Sequence, residues 1–412
     1  MISVFTPSHN PKFLNECYES LKSQTYEAWE WVVLLNGDAN WARPNYDDRV
    51  RIAYADKKLK GVGALKRHAV ELCSGQILVE LDHDDVLAPN ALEEIILAFK
   101  QNSNTVFVYS DFSQINEDGT PNQDRFDASF GWEYRQEGEH LVCCSLKPTP
   151  HNVSYIWYAP NHVRSFSKSA YDAAGGYDSS KKVLDDQDLM ARLYLIGNFY
   201  HIEKCLYYQR VHSENTQIEP ETNKFIQEET VRLHGQNIQS LLLKWSSDNK
   251  LLSLDLGGAH NPTPGYKTID LHEPADYVGD IFNVLGSFED NSVGVIRAVD
   301  FCEHIPDKIR LWNEFYRVLA HGGMVLSLTP STDGRGAFQD PTHVAFYNEN
   351  SFWYWVDEGF RRFVPEIKTN FQIDQLFTYF PSEWHQKNNI PYVCANLISV
   401  KEGAREGGRL GI

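Results

Sequence analysis

The sequence predicts an α/β protein with two mainly parallel sheets, one in each half of the chain. In residues 1–245, and again in residues 250–401, short apolar runs alternate with stretches of helical periodicity, which is typical of parallel sheets. Polar or glycine-rich turns follow several of the apolar runs directly, at the strand ends where ligands bind in folds of this class. We therefore expect two domains in series, followed by a flexible glycine-rich tail over residues 402–412.

Length and composition limit the classes of protein to consider. The 412 residues suffice for two or three domains, and 42% hydrophobic with 23% charged residues is ordinary for a globular protein. The formal net charge of −18 argues against nucleic acid as a partner, because its phosphates would be repelled. We expect no transmembrane segment and no signal peptide. Seven cysteines, an odd number without a Cys-X-X-Cys pair, indicate a reducing, cytoplasmic setting.

The most informative stretch is residues 76–96, QILVELDHDDVLAPNALEEII. A short apolar strand ends in three acids within four positions, Asp82, Asp84 and Asp85, and a helical pattern follows. A divalent cation such as Mg²⁺ or Mn²⁺ would explain why repelling carboxylates are gathered there, since it prefers carboxylate oxygens. A solvated acidic turn is the alternative that the pattern leaves open.

Polar residues also stand at other strand ends and helix starts of the first half. These are Thr6 and Pro7 after the first predicted strand, Asn36 after the second, Lys66 near the start of the next helix, Asp186 at the start of a later helix, and His212 near the end. Taken alone, acids at a helix start are explained by the helix dipole, which favours them by about 0.3 to 1 kcal/mol. A single histidine is equally well explained as a hydrogen-bonded surface residue.

Together, four motifs in the first half resemble the inverting family 2 glycosyltransferases of the GT-A fold. The motifs are TPSHN, WVVLLNG, GVGALKRHAVELCSGQILVELDHDD and LDDQDLMARL, and the resemblance covers about residues 1–240. It implies transfer of a sugar from a nucleotide-sugar donor to a glycan or lipid-linked acceptor, with Mn²⁺ or Mg²⁺ as cofactor.

The resemblance also implies roles for individual residues. The implied nucleotide-sugar-binding residues are Thr6, Pro7, Asn36, Lys66, Asp82 and Asp84. Asn36 stands where the family usually has an Asp that contacts the base, and Lys66 stands where an Arg is common. The implied metal ligands are Asp84, as the direct carboxylate ligand, and His212. Asp186 aligns with the catalytic Asp, the base that takes the proton of the acceptor hydroxyl.

The second half begins with a polar break at residues 246–250. The apolar strand that follows ends at Gly257 and Gly258, and the next strand ends at Asp270. Glycines after a first strand allow close approach of a ligand, and an acid after the second can accept hydrogen bonds from ribose hydroxyls. The Gly-X-Gly-X-X-Gly pattern of dinucleotide sites is absent.

The second half is similar to the class I S-adenosylmethionine-dependent methyltransferases, which have a Rossmann-like fold. The resemblance covers about residues 250–400 and is carried by LSLDLGGAHNPTPGYKTIDLHEPADYVGDI, VIRAVDFCEHIP and a long stretch that contains DPTHV and ENSFWYW. It implies S-adenosylmethionine (SAM) as a cofactor. The implied SAM-binding residues are Gly257 and Gly258 at the first strand end, Asp270 at the ribose, and Asp280 with Ile281 at the adenine. The first motif departs from the usual Gly-X-Gly-X-Gly, because His260-Asn261-Pro262 follows the glycines.

Methylation of a sugar hydroxyl requires a group that takes the hydroxyl proton. His343, three residues after Asp340, is the candidate base or substrate ligand, and the pair Glu303-His304 is the rival. A structural role for either histidine stays open, since geometry rather than residue type identifies a base.

The sequence therefore predicts a bifunctional enzyme that transfers a sugar and then O-methylates the same glycan. One alternative is a glycosyltransferase whose second domain is a catalytically inactive binding module, which the altered glycine motif favours. The other is a non-enzymatic carbohydrate-binding protein, in which the 13% aromatic residues would cover sugar faces.

Overall fold

The computed structural model describes residues 1–42, 47–126, 131–154, 162–213, 215 and 219–401. The chain divides into two compact units, Met1–Ile238 and Gln239–Ile412, and each unit has its own sheet. The predicted tail, residues 402–412, lies outside the described residues.

The first unit contains a 10-stranded mixed sheet with helices packed against it. Its strands are β1 (Ile2–Ser8), β2 (Trp29–Leu35), β3 (Val50–Tyr54), β4 (Ile77–Glu80), β5 (Val86–Leu87), β6 (Thr105–Asn116), β7 (Glu133–Glu137), β8 (His140–Cys144), β9 (Ser165–Ser167) and β10 (Asn198–Val211). Its helices are α1 (Leu14–Lys22), α2 (Val62–Glu71), α3 (Ala91–Gln101), α4 (Pro150–Val153), α5 (Lys168–Ala173), α6 (Asp185–Ile196) and α7 (Pro220–Asp248), the last of which extends beyond Ile238.

The strand order of this sheet is β3-β2-β1-β4-β9-β6-β10-β5, with β8 paired to β6 and β7 to β8. β1 is parallel to β2 and to β4, and β2 is parallel to β3, whereas β9 is antiparallel to both of its neighbours. Because β1, β2 and β4 run in the same direction, their carboxyl ends meet at one edge of the sheet. The acidic turn that begins at Asp82 therefore lies beside the ends of β1 and β2.

The central strands of the first unit are buried on both faces. All residues of Trp29–Leu35 and of Ile77–Glu80 are buried, as expected for parallel strands covered by helices. Helix α1 packs an apolar stripe against the sheet, and the stripe consists of Leu14, Cys17, Tyr18 and Leu21. These two strands contain two charged residues, Glu30 and Glu80, and the partners of Glu80 belong to the candidate site.

The second unit contains a 7-stranded sheet in the order β13-β12-β11-β14-β15-β17-β16. Its strands are β11 (Leu252–Leu256), β12 (Lys267–Asp270), β13 (Tyr277–Val278), β14 (Val293–Val299), β15 (Leu319–Pro330), β16 (Phe371–Tyr379) and β17 (Tyr392–Ser399). Its further helices are α8 (Ile281–Gly286), α9 (Lys308–Val318), α10 (Gly336–Gln339), α11 (Glu349–Val356), α12 (Glu358–Arg361) and α13 (Glu383–Lys387). The strands β11 to β15 pair in parallel, and β17 is antiparallel to both β15 and β16. The predicted α/β class is confirmed in both units.

The connection between β11 and β12 is unusually short for two parallel neighbours. Residues 257–266 contain turns and no helix, although a crossover between parallel strands commonly includes one. The short path is possible because β11 and β12 have only five and four residues, so the chain returns over roughly 15 Å.

The structure has a helix, α7, over part of residues 246–250, where the sequence predicts a polar break. The helix continues to Asp248, and Ser246 within it is fully buried. A Cβ atom on Gly294 would lie 2.1 Å from Ser246 Oγ, so the absence of a side chain at Gly294 makes room for this turn of the helix. Among the described helices, none is both long and apolar enough to cross a membrane.

Candidate functional site

A cavity of about 330 Å³ opens at the carboxyl ends of β1, β2 and β4 in the first unit. Most of the residues that the resemblance implies for donor, metal and base line its wall. They are Pro7, Asn36, Lys66, Asp82, Asp84, Asp186 and His212. The structure thus brings Asp84 and Asp186, which are far apart in the sequence, onto one cavity.

Thr6 is the exception among the predicted donor-binding residues. Its side chain is fully buried, where Oγ1 donates to the Leu81 carbonyl oxygen at 2.7 Å and accepts from Trp31 Nε1 at 2.9 Å. Successive side chains of a strand point to opposite faces, so Thr6 and Pro7 cannot both face the cavity. The Thr6 side chain therefore ties β1 to the chain beyond β4, and the predicted place of this residue in the nucleotide pocket stays a prediction.

Asp84 lies beside two residues that follow β10. Its Oδ2 is 2.8 Å from His212 Nε2 and 3.5 Å from Asn215 Nδ2. Near the end of β10, Arg210 donates from Nε to the Asp84 carbonyl oxygen at 2.7 Å, and its backbone N–H donates to Asp85 Oδ1 at 2.6 Å. These contacts hold the acidic turn against β10 and bring the two predicted metal ligands together.

Asp82 and Asp85 form a second group on the cavity wall with His162. A ring nitrogen of His162 and one carboxylate oxygen of each acid lie within 4.8 Å of one another. Burial raises the pKa of Asp82 to about 7, and the Glu80 carboxylate acts in the same direction. Burial also raises the pKa of Asp85 well above its usual value, with Asp84 contributing. Since burial lowers the pKa of His162 well below its usual value, its imidazole is neutral and able to act as a ligand.

Lys66 is held beneath the cavity by two buried carboxylates. Its Nζ lies 2.9 Å from Glu80 Oε1 and 2.9 Å from Asp185 Oδ2. Burial alone would lower the pKa of Lys66, but Asp185 and Glu80 outweigh it and hold the pKa above its usual value. The start of α2 packs closely against residue 178, since a Cβ on Gly63 would lie 2.2 Å from the Asp178 carbonyl oxygen. The absence of a side chain at Gly63 makes this close packing possible. Lys66 is therefore a fixed positive charge on the cavity wall.

Arg164 belongs to the same network and contacts the predicted base. It donates from Nη1 to Glu80 Oε1 at 2.8 Å, and its Nη2 lies 2.9 Å from Asp186 Oδ2. The other carboxylate oxygen, Asp186 Oδ1, accepts the backbone N–H of Gln187 at 2.8 Å. The hydroxyl of Tyr177 completes the surroundings of Glu80 by donating to Oε2 at 2.6 Å. The Asp186 carboxylate is thus oriented at the cavity wall.

Glu80, Arg164 and His162 are residues of this site that the sequence analysis does not identify. Glu80 carried a usable signal, because an acid inside an otherwise apolar buried strand requires a buried cation. No local pattern in the sequence marks Arg164 or His162.

In the second unit, the predicted cofactor residues meet at the ends of β11 and β12. These strands are parallel neighbours, with Leu256 opposite Ile269. Gly257 has a φ of +73°, which favours glycine, and its N–H donates to the Ile269 carbonyl oxygen at 2.8 Å. Asp270 Oδ2 accepts the N–H of Ala259 at 3.3 Å, so the acid adjoins the glycine turn.

Gly258 lies beside a buried ion pair. It is buried, and a Cβ atom there would lie 2.9 Å from Asp255 Oδ2. Asp255 is itself fully buried and forms an ion pair with Arg297 at 2.8 Å. Glycine is therefore required at this position by the packing of Asp255, and its predicted approach to a cofactor stays a prediction.

At the start of α8, Asp280 and Ile281 have different environments. Asp280 is exposed and accepts the N–H of Phe282 at 3.0 Å as the helix cap. Ile281 is 5% exposed and packs in the core of the unit. The first turn of the helix points the Ile281 side chain inward, and the predicted place of this residue beside an adenine stays a prediction.

Glu303, His304 and His343, which the sequence offers as rivals for one task, lie in a single cluster. One ligand atom from each residue lies within 4.8 Å of the other two, and the two imidazole centroids are 5.0 Å apart. Glu303 and His304 belong to a short 3₁₀ helix that follows β14, so the cluster stands at the carboxyl edge of the sheet. Burial raises the pKa of Glu303 to about 7, and neighbouring carboxylates act in the same direction.

Two family models match the chain. The model described as Glycosyl transferase family 2 matches residues 3–158, which include the acidic turn. The model described as Methyltransferase domain matches residues 262–327, a range that begins after the glycine turn.

Curated relatives match about half of this chain. Chondroitin synthase of Escherichia coli is 26% identical over 225 residues, which are 53% of this chain and 30% of the synthase. Hyaluronan synthase of Pasteurella multocida is 23% identical over 224 residues, covering 53% of this chain and 21% of that protein. The O-antigen biosynthesis protein RfbC of Myxococcus xanthus is 32% identical over 224 residues, covering 51% and 16%. The chain thus spans less than a third of the length of these relatives.

Solved structures also align with the chain. S. aureus TarS 1–349 in complex with UDP is 17% identical, with a TM-score of 0.42, and the alignment covers 64% of this chain and 75% of that one.

The two family matches identify the organisation: this chain carries a family 2 glycosyltransferase domain followed by a methyltransferase domain.

Proposed function

We propose that the first unit transfers a sugar, with inversion at the anomeric carbon, from a nucleoside diphosphate sugar to a glycan or lipid-linked glycan. The observation that carries this proposal is the single cavity lined by Asp84, His212 and Asp186. Two relatives, chondroitin synthase and hyaluronan synthase, support a glycan as the acceptor.

The oxygen and nitrogen atoms that line the cavity fit a divalent cation as ligands. Asp84 and His212 offer an oxygen and a nitrogen 2.8 Å apart, and three further donor atoms, from Asp82, Asp85 and His162, lie within 4.8 Å of one another. Carboxylates with imidazole suit Mn²⁺, and Mg²⁺ commonly uses carboxylates together with the phosphates of a substrate. When bound, the cation would contact the diphosphate and offset its negative charge.

The remaining residues of the cavity would bind the donor and accept the proton. The acceptor oxygen forms a bond to the anomeric carbon while the bond to the nucleoside diphosphate breaks on the opposite face. The hydroxyl proton passes to Asp186, whose carboxylate Arg164 and Gln187 orient. Lys66 offsets charge on the departing diphosphate, and Asn36 and Pro7, with Asp82, complete the donor pocket.

The test is an assay of nucleoside diphosphate release from UDP-, GDP-, CDP- and dTDP-sugars, with Mn²⁺, with Mg²⁺ or with EDTA. We expect release from one class of donor, only with metal, and loss of release in Asp84→Asn. Asp118→Asn, which changes an exposed turn acid outside this cavity, is the matched control. Release that persists in EDTA and in Asp84→Asn would overturn the metal site, and no release from any donor would favour a non-enzymatic carbohydrate-binding protein.

For the second unit, the proposal is SAM-dependent O-methylation of the same glycan. The exposed turn at Gly257 and the Asp270 carboxylate, which keeps free lone pairs beside its bond from Ala259, fit a ribose and its neighbouring groups. Asp280 is exposed at the position implied for the adenine. SAM, when bound, supplies the methyl group.

The hydroxyl proton in this second reaction would pass to the cluster of Glu303, His304 and His343. Within it His343 is the predicted base, since its Nδ1 is held by the Ala337 carbonyl oxygen at 3.1 Å and Nε2 remains for the proton.

A glycosyltransferase with an inactive, methyltransferase-like binding module is the second candidate. Two observations favour it: the family match begins at residue 262, after the glycine turn, and residues 257–266 contain no helix. A calorimetric titration of the full chain with SAM separates the candidates. Equimolar binding favours methylation, and no binding favours the module.

We propose that the protein is located in the cytoplasm and that nucleic acid is not one of its partners. All seven cysteines are unpaired, which supports a reducing compartment, and the net charge of −18 would repel nucleic acid. Cell fractionation tests the first point, and a filter-binding assay at low salt tests the second.

A further inference from the structure

We infer that Glu303, His304 and His343 form a binding site for a first-row divalent transition-metal ion, made of residues of the second unit alone. The binding itself stands on the geometry of these three residues. Only the use of the ion in a reaction rests on the methyl transfer proposed above.

Glu303 is a carboxylate that the protein buries without a partner. It is 2% exposed, and neither Oε1 nor Oε2 has a hydrogen-bond partner. Its backbone is firmly placed, because its carbonyl oxygen accepts the N–H groups of Val344 and Ala345, both at 2.9 Å. The ion pairs recorded among the described residues of this unit include none to Glu303. A buried charge in this position is costly unless a cation joins it.

Acids rather than bases surround this carboxylate. The charged groups that act on Glu303 are those of Asp300 and Asp340, and both are negative. The local charge therefore attracts a cation, and the partial exposure of His304 leaves the cluster accessible from solvent.

Both histidines are oriented in the way that metal ligands usually are. His343 Nδ1 lies 3.1 Å from the Ala337 carbonyl oxygen, and His304 Nδ1 lies 3.3 Å from the Thr342 carbonyl oxygen and 3.0 Å from its hydroxyl. A carbonyl oxygen only accepts, so each Nδ1 carries the proton and each Nε2 keeps its lone pair. A backbone carbonyl on the second ring nitrogen is the usual support of a histidine that binds metal.

The distances and the chemistry of the donors select the class of ion. In a tetrahedral site with bonds of about 2.1 Å, ligand atoms are about 3.4 Å apart, and the three ligand atoms of this cluster lie within 4.8 Å of one another. Two imidazoles with one carboxylate suit Zn²⁺, Mn²⁺ or Fe²⁺ and are unsuited to Ca²⁺ or Mg²⁺, which prefer oxygen ligands. Three protein ligands leave at least one coordination position open.

The open position lies at the edge of the sheet where SAM would bind. β14, which leads into the cluster, is the parallel neighbour of β11, which leads into Gly257. A Cβ on Gly257 would be 3.3 Å from the ring of Phe301, two residues before Glu303, so the two strand ends are in contact. In the proposed methyl transfer the ion would bind the acceptor hydroxyl oxygen and lower the pKa of that hydroxyl, so that its proton would pass to water and His343 would be a ligand rather than the base.

The test uses the full chain with Asp84→Asn and His212→Asn, which removes two ligands of the candidate cation site of the first unit, and each further variant is compared in this background. After dialysis against EDTA, the protein is titrated with CoCl₂, and bound Co²⁺ is followed by visible absorbance and by elemental analysis. We expect one equivalent of Co²⁺, and an affinity at least about 10-fold weaker when Glu303→Gln or His343→Asn is added. His321→Asn is the matched control, because His321 lies in β15 near the amino end of the strand, away from the cluster's edge.

Circular dichroism of each variant confirms that it is folded before binding is compared. Co²⁺ binding that is absent in the folded Asp84→Asn/His212→Asn protein, or equally tight after Glu303→Gln, overturns the site. If that double variant does not fold, the wild-type chain is compared with its Glu303→Gln and His343→Asn variants, and loss of one equivalent is the expected result. SAM titration of the same samples separates failure of the metal site from failure of the methyltransferase proposal. SAM binding without Co²⁺ binding contradicts the metal site and leaves the methyltransferase proposal standing.

Discussion

Both units carry a glutamate close to the carboxyl end of a buried strand, but its surroundings differ. In the first unit Glu80 is contacted by Lys66, Arg164 and Tyr177, so that its charge is fully matched inside the protein. In the second unit Glu303 is equally buried, and neither carboxylate oxygen has a partner. An acid that is paired within the protein can thus be distinguished from an acid whose charge is available to a ligand.

The pKa values of the two glutamates follow this difference. Burial opposes ionisation of Glu80, but Lys66 and Arg164 outweigh it and hold its pKa below the usual value. Burial of Glu303 outweighs the opposing effect of its own backbone N–H, no cation contributes, and its pKa rises to about 7. The matched acid Glu80 is therefore part of the framework beneath the cavity, whereas the unmatched acid Glu303 belongs to the site at which we propose that a cation binds.

The largest effect is expected for Asp186→Asn, which tests whether the matched network of the first unit supports a reaction. Loss of a general base reduces the rate about 10² to 10⁴-fold, while donor binding should be unchanged. Rates of nucleoside diphosphate release and donor affinity are measured together. Asp188→Asn is the control, since Asp188 lies in the same helical turn but pairs with Arg192 outside the cavity. Equal rates for the two variants would exclude Asp186 as the base.

Glu80→Gln is expected to destabilise the first unit by about 3 kcal/mol. The change leaves Lys66 and Arg164 buried with one negative charge fewer, and removing one member of a buried ion pair is costly. Urea unfolding monitored by fluorescence measures the free energy. Glu117→Gln, whose pair with Lys12 is exposed, is the control and should change it by about 0.5 kcal/mol or less. An equal, small effect of both changes contradicts the role given to Glu80.

Asp111 is a second matched acid of the first unit, and its effect should depend on pH. Burial opposes its ionisation, but hydrogen bonds from His201 and Arg135 outweigh it and hold the pKa below its usual value. Because the folded pKa is depressed, the stabilisation is complete above the unfolded pKa of about 3.9 and is lost as the pH falls through the folded pKa. Asp111→Asn should therefore cost about 2 kcal/mol at pH 7 and less at pH 3.5.

Thermal unfolding of the wild-type chain and of Asp111→Asn at the two pH values measures this difference. A difference between the two proteins that is the same at both pH values would contradict an ionised Asp111 in the folded state.

The smallest effect on stability is expected for Glu303→Gln in the presence of EDTA. This substitution is the same as Glu80→Gln, but Glu303 has no partner to lose, so the free energy of unfolding should stay within about 1 kcal/mol or rise. Urea unfolding in EDTA measures it. A loss near 3 kcal/mol would mean that the two glutamates are equivalent, and the comparison between the units would fail.

Local sequence patterns were sufficient for the fold class and for much of the cavity. Alternating apolar runs and helical stretches predict parallel sheets, because strands buried on both faces must be apolar throughout. The acids at Asp82 to Asp85 are recognisable because they follow such a strand directly. Residues at other strand ends, such as Pro7 and Asn36, then meet them because parallel strands share one edge.

The orientation of individual side chains was not accessible from these patterns. The side chains of Thr6 and Pro7 differ in role because a strand turns neighbours to opposite faces. The side chain of Ile281 points inward in the first turn of α8, and position 258 has no room for a side chain because Asp255 packs against it. Each of these depends on which face of an element meets the core.

The ion pairs of the site depend on contacts between distant parts of the chain. Arg164 reaches Glu80 and Asp186, which stand 84 residues before it and in a later helix. No local pattern encodes such a pairing, although the acid within the apolar strand β4 indicates that a cation must exist. The clustering of His343 with Glu303 is of the same kind, since separate segments supply the two side chains.

The central claim is that the acids around Asp84 hold a cation and a nucleoside diphosphate in the cavity that contains Asp186. Crystals grown with Mn²⁺ and a nucleoside diphosphate, measured by anomalous diffraction at the manganese edge, test it directly. The account predicts an anomalous peak within coordination distance of the Asp84 carboxylate, with the diphosphate between it and Asp186. A nucleotide bound outside this cavity, or a manganese peak in the first unit away from Asp84, would contradict it.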